Sequence, residues 1–368
     1  MPYGFVGPRH IALTLAALKE FDREGWRKSS HKNRQTTAKW EDNVQALTRR
    51  SLMLGAMAAP VSAYAQACYA QTWPTIRLVV PYPPAGSTDV IARLVQPELQ
   101  RRLSTSVIVE NRPGASGSIG TASVAKSPPD GSSWLFVFDN HAANPFVLGN
   151  LPFDTEKDLD PVLFIGTAPY VLATNPAKPF KTLADVIAAA RARPDTVSYG
   201  SVGSGSVGHL AMALLSKQAG VRLVHVPYRG GGPAMNDAIA GHVDLLIGST
   251  ALAIPQVQAG TIRAVVQTGK ARTPTLGTVP TVSESGFPNF EAYAWWGVFA
   301  PAGTPGEMIT RFAAELAASL REPRIATQLT EGQQVTMSLA GSQELRSFLA
   351  GQMKTWGAVA REFDIKGE

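Results

Sequence analysis

The sequence predicts an α/β protein of two lobes, each built on a mainly parallel sheet. Two observations carry that reading. The 368 residues exceed a typical single domain and suffice for a sizeable core in each of two lobes. In both halves the chain also runs strand, small-residue loop, helix, strand, Gly/Pro loop, helix, strand. Such alternation implies parallel sheets, with ligands beyond the carboxyl ends of the strands at helix N-termini.

In the first half, Ile76-Arg77-Leu78-Val79-Val80 is a β-rich run broken by Pro81-Tyr82-Pro83-Pro84-Ala85-Gly86. Ser87 or Thr88 is placed to cap a helix whose Val90, Ile91, Leu94, Val95 and Leu99 share a face, and Pro97 is expected to bend it. Val107 to Glu110 is the next strand. Asn111 to Gly117 is the loop after it, followed by a helix toward Lys126. The turn Pro128-Pro129-Asp130-Gly131 leads into the strand Trp134 to Phe138.

The second half repeats the order. Thr196 to Tyr199 is a strand, Gly200 to Ser206 a small-residue loop, and Val207 to about Gln218 a helix. Leu223 to Val226 is a strand. Tyr228-Arg229-Gly230-Gly231-Gly232-Pro233 is a loop before another helix, and Val243 to Ile247 closes the pattern. Beyond Pro301 the chain reads as helical, with one helix starting at Pro305-Gly306-Glu307 and another from Gln343 to about Phe363.

Charge and composition exclude several classes. The net charge is +6, yet residues 1–70 carry ten Lys/Arg against five Asp/Glu, so five of the six charges lie there. The remainder has no basic footprint for a phosphate backbone, which excludes nucleic acid as a partner. The single cysteine, Cys68, leaves the body no disulfide, thiolate nucleophile or Cys-based metal site. Arg49-Arg50 precedes a short apolar, Ala-rich run to Ala67, with small-x-small sites at Ala63-Tyr64-Ala65 and Ala65-Gln66-Ala67. That is the order of a cleaved secretory signal, and its arginine pair leaves both the general secretory and the twin-arginine route open. Residues 1–70 are therefore a leader with an over-extended start. The mature chain is expected to begin between Gln66 and Gln71, in the periplasm.

Three motifs invite an enzyme reading. Gly203-Ser204-Gly205-Ser206-Val207-Gly208 fits G-x-G-x-x-G, but the next strand ends in Val226-Pro227-Tyr228-Arg229 without the acid a ribose needs. A small-anion site fits better, because free N–H groups and the helix dipole hold a carboxylate without any Arg. Ser201, Ser204 and Ser206 add hydroxyl donors there. Ser123-Val124-Ala125-Lys126 fits S-x-x-K, but its partner motifs are missing and a helix surface explains it. His141, His209, His225 and His242 show no ligand spacing for a metal. His225 reads as structural, while His141 follows a strand's carboxyl end and is a candidate ligand contact. No cofactor, metal or catalytic residue is expected. Trp295-Trp296 reads as an aromatic pair in a strand, mostly core.

Several ordered segments together resemble the periplasmic solute receptors of tripartite tricarboxylate transporters, the Bug family. They are Pro81 to Asp89, Val109 to Ala115, Tyr199 to Ser206 with His209-Leu210, His225 to Gly230, Gly241 to Asp244, Val279 to Gly286 and Trp296 to Pro305. The match is collinear from about Trp73 to the C-terminus. The resemblance implies a periplasmic-binding-protein-like Venus flytrap that captures a small carboxylate (di- or tricarboxylate, amino-acid-like or aromatic) between two lobes and hands it to the transporter's membrane subunits. The protein would be a monomer and no enzyme. The chain would cross between lobes near Thr167–Tyr170 and Tyr293–Val298, giving a discontinuous first lobe of residues 71–169 and 296–368 and a second of 170–295.

By position, the family's ligand loops fall on Tyr82 to Asp89 and Ser201 to Ser206. The residues expected at the ligand are Tyr82, Pro84, Ala85, Gly86, Ser87, Asp89, Asn140, His141 and Thr167, with Ser201, Ser204, Gly205, Ser206 and Ser249 facing them. Ala85 replaces a commoner glycine, Ile247 to Thr250 stands where Asp or Asn is frequent, and Gln267 to Lys270 also departs from the family pattern. Competing readings are a carboxylate-sensing receptor that signals and a nucleotide-dependent enzyme.

Overall fold

The computed structural model describes residues 73–367. The leader reading, with its cleavage site, falls outside the described residues. The first lobe centres on β1 (Ile76–Val80), flanked in parallel by β2 (Val107–Asn111) and β3 (Ser133–Phe138). The second centres on β5 (Ser198–Ser201), flanked in parallel by β6 (Val224–Pro227) and β7 (Leu245–Ser249). These are the alternating segments of the sequence, with ends shifted by one or two residues.

One long strand joins the two sheets. In β4 (Leu159–Thr174), the stretch Leu159–Pro169 runs antiparallel to β9 (Tyr293–Pro301), which in turn pairs antiparallel with β3. From Tyr170 onward β4 pairs instead with β7 and with β8 (Arg263–Gln267). One strand thus changes sheets between Pro169 and Tyr170. β10 (Thr336–Ala340) adds to the first half of β4. Local patterning conceals β4, because Pro161, Gly166 and Pro169 interrupt it. Register shifts after Pro161 and Phe164 absorb these residues. Gly166 is required, since a Cβ there would lie 2.2 Å from the carbonyl oxygen of Thr336.

Helices cover the sheets. α1 (Ser87–Leu103), α2 (Ser118–Ala125) and α3 (Asn140–Val147) belong to the first lobe, and α4 (Leu183–Ala192), α5 (Val207–Ala219), α6 (Gly231–Ala240) and α7 (Thr250–Gln258) to the second. The C-terminal α8 (Gly306–Leu320), α9 (Pro323–Thr327) and α10 (Ser342–Glu362) follow β9 and its neighbours. α1 buries Ile91, Val95 and Leu99 as its spacing predicts, and remains one helix through Pro97, which lies on its exposed face. In the first-lobe core, Trp134 stacks on Phe312 at 3.7 Å between ring centres, with Trp73 edge-on to both. The Trp134 indole N–H donates to the Gly131 carbonyl, so the buried ring leaves no polar atom unpaired.

Candidate functional site

The β1–α1 loop is shaped by Asp89. Its carboxylate accepts from the backbone N–H of Ala85 at 3.0 Å, from Arg93 Nε at 3.0 Å and from Asn111 Nδ2 at 2.8 Å. It is buried and fully engaged, so it scaffolds the loop and the start of α1. Ala85 sits at φ +65, a left-handed conformation that costs a non-glycine residue some strain. The sequence places a hydroxyl cap at Ser87 or Thr88. Instead the N-cap is Gly86, with no side-chain cap. The first-turn N–H groups of α1 therefore have no intrahelical partner.

Tyr82 and Asn140 form a rigid wall beside that helix start. The Tyr82 hydroxyl donates to Asn140 Oδ1 at 2.5 Å and accepts from the Phe138 N–H at 3.0 Å. Asn140 Nδ2 donates to the Ser116 carbonyl at 2.5 Å. Burial pushes the Tyr82 hydroxyl well above its ordinary range. These polar atoms satisfy one another and lend the wall shape more than free hydrogen-bonding capacity.

The β5–α5 loop, Gly200 to Ser206, bonds largely to itself and to its neighbours. Gly203 N–H donates to Ser201 Oγ, Gly205 N–H to His209 Nδ1 and Ser206 N–H to the Gly203 carbonyl. Ser206 Oγ caps the His209 N–H. The Val207 N–H donates at 3.4 Å to Asp139 Oδ1, a group from the first lobe. The N–H groups of Gly203, Gly205, Ser206 and Val207 are thus already bonded inside the protein. The small residues serve close packing: a Cβ on Gly205, whose φ is +74, would lie 2.3 Å from Val147 Cγ2 in α3, and Ser116 Oγ donates to the Ser204 carbonyl. Behind the loop, Ser201 Oγ is hydrogen-bonded to His225 Nε2 at 2.7 Å, and His225 stacks on His209 at 3.7 Å. Burial pushes His209 down to about 4. Burial, with the neighbouring His209, pushes His225 down to about 3. Both rings are neutral near pH 7.

A cleft opens where the loops of both lobes meet. Its walls are Tyr82, Gly86, Ser87, Thr88, Phe138 and Asn140 on one side and Val202, Gly230, Gly231, Ser249 and Leu252 on the other. The space inside it that the centre of a water-sized sphere can reach is ≈ 30 Å³, a narrow cleft. Three helices begin at it, α1, α6 and α7, and none has a side-chain cap. Ser249, the N-cap of α7, is 2% exposed and its Oγ has no hydrogen-bond partner. No lining residue carries a charged side chain. The lobes touch at the rim: a Cβ on Gly230 would come within 2.9 Å of Pro83, and one on Gly232 within 3.1 Å of the Pro84 carbonyl.

Of the residues expected at the ligand, Tyr82, Gly86, Ser87, Asn140 and Ser249 line this cleft. Pro84 and Ala85 lie at its rim, on the loop that meets Gly232. Asp89 lies behind the loop it shapes. His141 turns into the first-lobe interior, 4.9 Å from the Phe299 ring centre, where burial pushes it down to about 3 and leaves Nε2 without a partner. Thr167 is held in β4 between Trp295 and Thr336. Ser201, Ser204, Gly205 and Ser206 belong to the packed loop described above. Thr88 and Val202, within the two expected ligand loops, line it as well, while sequence reasoning missed Phe138, Gly230, Gly231 and Leu252. The run Gly230-Gly231-Gly232 at a strand end was a signal for the glycines. Phe138 and Leu252 gave none. Trp295 and Trp296 are core, and Trp296 packs 5.6 Å from the Phe138 ring. Among the described residues, no group of His, Cys, Asp and Glu could hold a metal ion.

Helix N-termini and hydroxyls gathered in a cleft without side-chain charge offer hydrogen-bond donors to an anion. They assemble no nucleophile with its base. Two α/β lobes closed over such a cleft define a solute-binding receptor. The family model described as the tripartite tricarboxylate transporter family receptor matches residues 91–365, and the chain belongs to this family of receptors, which are not enzymes. BugT of Bordetella pertussis is 34% identical over 317 residues, 84% of this chain and 94% of BugT. Among solved structures, R. palustris Rpa4515 with adipate superposes with a TM-score of 0.76 at 33% identity, over 80% of this chain and 99% of that one. MatC (Rpa3494) from Rhodopseudomonas palustris with bound malate gives 0.73 at 28% identity, over 77% and 98%. No helix among the described residues is long and apolar enough to cross a membrane.

Proposed function

We propose that this protein is exported to the periplasm, where it binds a small carboxylate between its lobes and presents it to the membrane subunits of a tripartite tricarboxylate-type transporter. The observation that carries the reading is the convergence of three uncapped helix N-termini on one cleft free of charged side chains. A carboxylate there accepts charge-assisted hydrogen bonds from otherwise unpartnered N–H groups. Family membership supports delivery to a transporter. The adipate and malate of the two similar structures support a carboxylate as cargo. The leader's Arg49-Arg50 and Ala-rich run support export with cleavage between Gln66 and Gln71.

The proposed lobes are residues 71–169 with 296–368, and residues 170–295, hinged where β4 and β9 cross. The proposed ligand residues are Gly86, Ser87, Thr88, Gly230, Gly231 and Ser249 through polar groups, with Tyr82, Phe138, Asn140, Val202 and Leu252 as walls. A thermal-shift screen of the purified mature chain against di-, tri- and aromatic carboxylates tests the reading, because a ligand that binds only the folded state raises the melting temperature. A shift with at least one carboxylate, confirmed by calorimetry, is the expected result. Tight binding of a neutral or cationic solute in their place would overturn it.

A further inference from the structure

The cleft reads one feature of its ligand beyond the carboxylate. Three helix N-termini each bring roughly half a positive charge to it, and the lining supplies no Asp or Glu to offset them. The buried carboxyl groups beside the lining, Asp89 and Asp139, are both engaged: Asp89 accepts from Ala85, Arg93 and Asn111, and Asp139 from Val207 and Tyr170. Asn140 Oδ1, a side-chain acceptor on the wall, is held by Tyr82. An ammonium group entering here would lose its water, meet positive helix ends and find no anionic partner. A carboxylate meets the opposite situation. On the second-lobe side, the nine-residue α7 starts at the cleft with its cap hydroxyl, Ser249 Oγ, buried and without a partner. That hydroxyl and the first-turn N–H groups of α7 form a seat for an anionic oxygen. Next to it, Leu252, Val202 and Phe138 present hydrocarbon and ring surface, which suits a carbon body without charge.

We infer that the cleft selects organic acids lacking an amino group, with a carboxylate seated at Ser249 and the start of α7, and that it rejects the corresponding amino acids. This rests on the carboxylate reading above and narrows it to a substrate class.

Matched pairs that differ by one amino group isolate the claim: succinate with aspartate, glutarate with glutamate, and 3-phenylpropionate with phenylalanine. Each is titrated calorimetrically into the mature protein at pH 7. The expected result is that at least one acid binds and that its amino counterpart binds at least 100-fold more weakly. Ser249→Ala should weaken the bound acid about tenfold while leaving the melting temperature of the unliganded protein within about 2 °C. An amino acid that binds as tightly as its acid would overturn the inference and leave the carboxylate reading standing, as would a Ser249→Ala protein of unchanged affinity. Binding of neither member of any pair would count against the carboxylate reading itself.

Discussion

The carboxylate of Asp139, at the end of β3, accepts a hydrogen bond from the backbone N–H of Val207, the first residue of α5 in the opposite lobe, at 3.4 Å. Its other oxygen accepts from the Tyr170 hydroxyl, at the point where β4 changes sheets. The first N–H of α5 is therefore already taken by a carboxyl group supplied by the protein. The G-x-G-x-x-G segment, whose sequence and place before a helix are those of an anion loop, thus spends this donor inside the protein.

Asp139 and three histidines set the pH dependence of stability. Burial pushes Asp139 up to about 8, against the lowering hydrogen bonds of Tyr170 and Val207. Its unfolded value is about 4, so the folded state binds the extra proton, and its contribution is lost as pH rises toward 8. His141, His209 and His225 are pushed down to about 3, 4 and 3 from about 6.5 when unfolded. Their contribution is present above about 6.5 and lost as pH falls. Three groups outweigh one below that point, and Asp139 acts alone above it. Urea unfolding from pH 4 to 8.5 should show a maximum near pH 6.5, and Asp139→Asn should remove the decline on its alkaline side. A stability that keeps rising from pH 6.5 to 8 would contradict this.

Gly205→Val should hold the lobes apart. The added Cβ would meet Val147 in α3, and φ +74 disfavours any branched side chain. Small-angle scattering should give a larger radius of gyration than for the natural chain. Adding Val147→Ala, which removes the clashing methyls, should recover part of the difference. An unchanged radius in the single variant would mean that the loop and α3 do not meet in solution.

Ser206→Ala should act on stability more than on affinity. Ser206 Oγ accepts from the His209 N–H as the N-cap of α5, and loss of such a cap costs about 1 kcal/mol. The side chain does not line the cleft. A drop in the denaturation midpoint with affinity for an identified carboxylate within about threefold is expected. A tenfold loss of affinity at unchanged stability would restore the loop as a ligand seat.

Asp244 ties β5 to the start of β7. It accepts from Lys178 Nζ at 2.8 Å and from Ser198 N and Oγ at 2.9 Å each. Partial burial alone would raise its carboxyl, but the Lys178 and Ser198 hydrogen bonds outweigh it and hold it below the ordinary range. Its contribution is therefore present above its unfolded value of about 4 and lost in acid. Asp244→Ala should cost about 2–3 kcal/mol at pH 7, and markedly less at pH 3. Equal losses at both values would mean that charge has no part in it.

The alternating strands and helices and the breaks at Pro81–Gly86 and Gly200–Ser206 follow from local periodicity and from glycine and proline chemistry. Such features need only neighbours in sequence. Those signals placed β1, β3, β5, β7 and the starts of α1, α5 and α8 to within one or two residues. They also pointed to helix N-termini as the kind of place where an anion would sit. Which N-termini are free is another matter, because a donor's partner can come from far along the chain. Val207 loses its N–H to Asp139, 68 residues away, while α1, α6 and α7 keep theirs because no side chain reaches them. Likewise His141 follows a strand end yet is drawn against Phe299 in the core, and Phe138 and Leu252 become walls only because two lobes close on them. Local order lay in the sequence. The cleft was decided by tertiary structure, since packing across distant segments determines which polar groups remain unpaired.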